Sequence, residues 1–261
     1  MKKLMLTTAI LALSFTAALA ADIRIGSSAD YPPWESVDAS GNIVGFDRDV
    51  GDEICKRISA NCTWTNQAFD GLLPSLQVGK FDLVISGISI NEERSKQVDF
   101  SVAYADAPNN LSALADSEAA KATDRAALEK ALVGKVIGVQ TGSTHEQVAK
   151  AHFKDSEVRI YDRPDQVLDD IIAGRIDAGL MEKSAWLPLL KTEKAKDKVI
   201  FAGPQLTSAD YPEFGKGQGI AIRKGQDELK ASIDKAVADM LADGTMAKIS
   251  QKWFEYDVSK K

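Results

Sequence analysis

The residues best equipped for chemistry are polar ones placed directly after apolar runs. After Leu83-Val84-Ile85 come Ser86, Gly87 and Ser89, with Arg94 a turn further on. Small residues leave room and present backbone groups, and a guanidinium can hold a carboxylate through two parallel hydrogen bonds. After Val136-Ile137-Gly138-Val139 come Gln140, Thr141, Gly142, Ser143 and Thr144. Ser143 with Glu146 three residues later reads as a capping box, so a helix opens at Thr144, and its free first-turn amides make an anion site. Capping uses only one or two of those amides, so both readings hold together. Glu182, following the apolar run Ala178 to Met181, offers a negative charge for an ammonium group. Each charged residue also has a plainer reading, Arg94 as a solvated helix residue and Glu182 as a surface acid.

Enzymatic constellations are nearly absent. The sequence has no Walker loop, no Gly-x-Ser-x-Gly elbow, no His-Glu-x-x-His and only two histidines. His145 is expected on an exposed helical turn and His152 on an amphipathic face, neither with a nucleophile partner in view. A carboxylate-only mechanism stays open. No cofactor is called for, and no metal: two cysteines are too few for a structural zinc site unless the distant histidines join them.

The N-terminus places Lys2 and Lys3 ahead of an apolar run from Leu4 to Leu19 that closes on Ala18-Leu19-Ala20. This predicts a Sec signal peptide over residues 1–20, hence a periplasmic protein, and with no cysteine before Cys55 a lipid anchor lacks its attachment site. In an oxidising compartment Cys55 and Cys62 are expected to form a local disulfide. Loss of the two lysines takes the formal charge from -6 to -8, a poor balance for binding nucleic acid.

The elements that must position these residues alternate. Ile23-Arg24-Ile25 reads as a strand; Asp47 is expected to cap a helix carrying Val50, Ile54 and Ile58; Asp70 to cap a short helix with Leu72, Leu73 and Leu76 that Gly79 stops. Strands follow at 81–85, 111–114, 135–139, 178–181 and 219–222. Helices are expected at 117–130, 144–153 and 165–173, and a closing helix carries Leu229, Ile233, Val237 and Leu241. Gly79-Lys80-Phe81-Asp82 and Gly174-Arg175-Ile176-Asp177 share one pattern, helix, Gly, basic, apolar, Asp, strand, and so hint at two similar halves. Alternating strands and helices predict an α/β protein with parallel sheets.

Together the fragments resemble the periplasmic polar and basic amino-acid binding proteins of ABC importers, the family of the lysine/arginine/ornithine and histidine receptors. The resemblance is carried by Gly45-Phe46-Asp47, Glu53 to Arg57 with Cys62, Phe69 to Leu76, Phe81 to Ser89, Arg94, Gly138-Val139, Gly142-Ser143-Thr144, Gly174 to Asp177 and Asp243-Gly244-Thr245. It implies a two-lobed type II binding-protein fold with two crossover strands, near residues 106–110 and 205–211. Lobe 1 would then hold residues 21–108 and 208–261, and lobe 2 residues 109–207. The resemblance further implies that Arg94 and the amides around Ser143 and Thr144, in the turn that Gln140 and Thr141 begin, take the ligand's α-carboxylate. Glu182 would take the α-ammonium, Gly87 and Ser89 beside Ser86 would add hydrogen bonds, and Tyr31 and Phe69 would sandwich the side chain.

Two departures bear on specificity. Ser28 stands where lysine-type receptors carry an acid for the side-chain ammonium, with Asp30 two residues later, and a serine cannot neutralise a buried cation. Met181 precedes Glu182 where relatives often show glutamine, and the acid itself is Glu in place of Asp. The implied function is capture of an amino acid, polar or basic, and delivery by a monomer to the membrane permease of an ABC importer, with no catalysis. The alternatives are binding of an opine or other amino-acid derivative, and a periplasmic dehydratase of cyclic amino acids with Glu182 or Asp30 as its acid.

Overall fold

The computed structural model describes residues 21–260, so the signal-peptide reading at 1–20 lies outside them. Two five-stranded sheets form the frame. The first runs Asn61–Asn66, Asp22–Ser27, Leu83–Val84, Ala221–Ile222, Asp99–Phe100, and the second Glu157–Tyr161, Val136–Gln140, Ala178–Glu182, Asn109–Leu114, Val199–Leu206. In each, three parallel strands lead and the fourth runs antiparallel to its neighbours. Apolar runs in such strands are buried on both faces by helices.

The repeated pattern does the same job in both sheets. Gly79 and Gly174, at φ +77° and +67°, end their helices in the left-handed conformation that glycine tolerates best. The aspartate three residues on then ties the central strand to its neighbour: Arg24 N donates to the Asp82 carboxylate at 2.9 Å, and Val136 N to that of Asp177 at 2.8 Å. Each Asp amide returns a bond, Asp82 N to Arg24 O and Asp177 N to Val136 O.

Each sheet has its own core. One gathers Ile25, Phe46, Val50, Ile54, Leu83, Ile85, Ile222, Ile233 and Val237; the other gathers Leu111, Ile137, Val139, Val148, Phe153 and Leu180. Tyr211 and Phe214 pack into the second core, although their sequence positions fall in the 208–261 stretch expected with lobe 1. The Cys55–Cys62 disulfide joins helix Phe46–Arg57 to strand Asn61–Asn66, with Cα atoms 6.2 Å apart. In the closing helix Asp227–Ala242 the buried face is Ile233, Ala236, Val237 and Met240; Leu229 and Leu241 sit at its margins.

Three local expectations are corrected. Asp47 does not cap: the helix begins at Phe46 after Gly45, and the Asp47 carboxylate is buried, accepting from Tyr104 Oη at 2.8 Å and Gly87 N at 2.5 Å. Asp70 makes no cap either, because a 3-10 turn Phe69–Gly71 leads into helix Leu72–Gln77. The expected helix over 117–130 is two pieces, Ala119–Lys121 and Arg125–Ala131, because Asp124 caps the second by accepting from Ala127 N at 2.9 Å.

Candidate functional site

The strand ends of both sheets point their polar residues at one seam. Ten of the twelve expected ligand residues line a single small cavity there: Tyr31, Phe69, Ser86, Gly87, Ser89 and Arg94 from the first-sheet side, Gln140, Ser143, Thr144 and Glu182 from the second. Glu35 and His145 complete it. Its free volume is about 20 Å3, room for little beyond one water molecule.

Arg94 sits in helix Glu92–Gln97, which Asn91 caps by accepting its amide at 3.0 Å. It is buried rather than solvated, at 4% exposure. The guanidinium donates to Ser89 O and to Gly142 O, both at 3.0 Å, so it already spans the seam, and it lies 5.7 Å over the Phe69 ring. Burial pulls its pKa down to about 10. Glu182 ends strand Ala178–Glu182 and is buried as well, at 5%. The Tyr31 hydroxyl donates to its carboxylate and receives its amide at 3.2 Å. Burial, reinforced by that carboxylate, raises the Tyr31 phenol, so it stays a donor.

Around Ser143 the capping reading holds in part. Ser143 Oγ accepts from Glu146 N at 3.1 Å, opening helix Thr144–His152, but the Glu146 carboxylate reaches Gly142 N at 2.7 Å, one residue short of the box. Ser143 N turns back to Gln140 O at 3.3 Å. Among the described residues the amides of Thr144 and His145 donate to no protein acceptor, which leaves two first-turn donors at the seam.

The expected contributions of Gly87, Thr141 and Ser28 differ in place. The Gly87 amide is spent on Asp47, so it has no donor left to give. Thr141 does not line the cavity, its amide donating to Tyr161 O within the sheet edge. Ser28 lines instead a larger cavity of about 690 Å3, which Tyr31 also lines, together with Asp30, Asn66, Arg163 and Asp165.

Two residues of the site escaped the sequence reading. His145 is not exposed but 96% covered, its Nε2 2.8 Å from Asn109 Oδ1 and 3.3 Å from the Glu182 carboxylate. Burial lowers its pKa, so the ring is neutral, and with two acceptors facing Nε2 the proton belongs there. The available signal was its spacing: Val148 and Ala149, three and four residues on, are the buried face of the same helix. Glu35 lies beneath Ser86, whose Oγ donates to it at 2.6 Å, and its second oxygen has no conventional partner. Burial first, and neighbouring Asp47 second, push Glu35 well above the carboxylate range; burial takes Asp47 to about 6. A proton held on Glu35 and shared with Asp47 satisfies that otherwise orphaned oxygen.

Two sheets with equivalent topology thus close their strand ends on a cavity that holds a buried cation from one side and a buried anion from the other. The family model for bacterial extracellular solute-binding proteins, family 3, matches residues 23–256, and the chain belongs to that family. It is 38% identical to the lysine/arginine/ornithine-binding periplasmic protein of Escherichia coli, over 99% of each chain. It is 39% identical to the L-arginine-binding protein of Pseudomonas aeruginosa, over 99% of this chain and 98% of that one. Among solved structures, an ancestral arginine-binding protein bound to arginine superposes with a TM-score of 0.80 at 35% identity, over 91% of this chain and all of the other.

Proposed function

We propose that the chain is a periplasmic receptor that closes its two lobes on an amino acid, polar or basic, and delivers it as a monomer to the permease of an ABC importer. The observation that carries this reading is the placement of Arg94 and Glu182: both buried, on opposite sides of the seam, lining one cavity. Arg94 and the free amides of Thr144 and His145 take the α-carboxylate; Glu182 takes the α-ammonium.

The Tyr31 hydroxyl donates to the Glu182 carboxylate, so an incoming ammonium takes its place there. The ligand favours closure because only the closed form presents both charges to it at once. We place the crossovers near residues 106–110 and, since Tyr211 and Phe214 pack with the second core, just beyond Phe214. Thr207, Gly215 and Gln218 border a cavity there with Asp106 to Asn109.

The test is titration calorimetry against the twenty amino acids and two opines. The wild type should bind at least one, and Arg94→Ala should weaken that ligand more than about 100-fold, as removal of a buried charge-assisted contact does. Equal affinity of Arg94→Ala and wild type would sink the assignment. The protein acts here without catalysis; aromatic product from prephenate or arogenate would overturn that part.

A further inference from the structure

The larger cavity, at about 690 Å3, falls within the range of about 300–1,000 Å3 usual for small-molecule sites. Tyr31 lines both cavities. A ligand whose α-groups lie at Arg94 and Glu182 therefore sends its side chain past the Tyr31 ring into the larger chamber. Pro32, Ala68, Ala185 and Leu189 supply apolar wall for an alkyl stem.

The charges on the chamber wall are unequal. Arg163 is its one cationic side chain, and Asp165 holds that guanidinium through two hydrogen bonds of 3.0 and 3.1 Å. With that pair cancelled, the remaining charges are Asp162, which is exposed, and Asp30, which is half-buried and held by the Ser28 hydroxyl at 3.1 Å. A half-buried charge is less screened than an exposed one, so Asp30 dominates what a side chain meets. A distal carboxylate would face Asp30 and an Arg163 already engaged.

Resting on the reading that the small cavity takes the α-groups, we propose that the chamber receives a cationic side chain, a guanidinium or ammonium, and that Asp30 is the residue that selects it. Ser28 then orients the acid in place of being one. The weakly hydrated guanidinium suits the arrangement, with the Tyr31 face beside it.

The experiment compares arginine with citrulline, which has the same length and a neutral end, by calorimetry on the wild type, on Asp30→Asn, and on a swap that pairs Ser28→Asp with Asp30→Ser. The wild type should prefer arginine by about 10- to 100-fold, the loss of a hydrogen-bonded charge pair. That preference should collapse in Asp30→Asn and return in the swap, which also guards against a misfolded single variant. A preference that survives in Asp30→Asn, or a wild type that binds citrulline or glutamine as tightly as arginine, overturns the proposal while leaving the amino-acid reading intact. A wild type that binds no amino acid overturns the reading on which the proposal rests.

Discussion

The two cavities at the seam are built on opposite plans. In the inner one nearly every polar group is buried and already engaged: Arg94 by two carbonyls, Glu182 by Tyr31 and His145, Ser86 by Glu35. The outer chamber is far roomier, its acid Asp30 is only partly covered, and its cation is neutralised by a neighbour. Groups that meet the part of a ligand common to all amino acids can be fixed rigidly, because a preorganised contact costs little to use. Groups that meet the variable part stand in a wetter space, where one substitution changes the preferred charge without disturbing a network.

Acidity separates the two regions most clearly. Desolvation raises Asp30 to about 6; Ser28 and Arg163 hold it down, and Asp165 pushes it up. A cationic ligand needs the ionised form, so its apparent affinity scales with the ionised fraction and should fall roughly tenfold between pH 7 and pH 5. A neutral amino acid should show no such fall from this group. Parallel titrations of arginine and glutamine across that range check the difference, and identical profiles would erase the distinction between the cavities.

A smaller effect is expected beneath the inner cavity, and it reads out as stability. The folded pKa values of Glu35 and Asp47 both lie above their unfolded values. Such acids favour the folded state below their unfolded pKa, near 4, and that contribution is lost as pH rises through the folded values. Melting temperature should therefore decline through this pair as pH rises from about 4 through about 6, the folded value of Asp47, and on through that of Glu35. Glu35→Gln, which keeps an acceptor for Ser86, should flatten the decline and raise stability at pH 8 by on the order of 1 kcal/mol. An unchanged slope would mean that the pair shares no proton.

Much of the frame was legible because its signals are local. The stop at Gly79, the cap at Ser143 and the repeated Gly-basic-apolar-Asp pattern each depend on a few neighbouring residues, and the inner strands of both sheets form where those signals put them, whereas the edge strands Asn61–Asn66, Asp99–Phe100, Glu157–Tyr161 and Val199–Leu206 went unread. The site was legible only in part. Arg94 and Glu182 each read, on their own, as solvated residues, and their burial comes from a seam joining chain segments some 150 residues apart, as in the Trp34 to Ser184 hydrogen bond at 2.8 Å. His145 was misplaced for the same reason: its acceptors Asn109 and Glu182 belong to two other strands. Asp47 had the position of a cap, yet the loop at Gly87 and the Tyr104 hydroxyl reach it first. No spacing rule announces such contacts.

The claim that binding is governed by two charges gripping a zwitterion from opposite lobes is tested most directly by keeping the side chain and deleting one of those charges. Agmatine is arginine without its carboxylate. Calorimetry on the wild type should give agmatine an affinity more than about 100-fold below that of arginine, because Arg94 and the helix amides lose their partner. Agmatine binding as tightly as arginine would show that the outer chamber alone governs recognition, and would contradict the account.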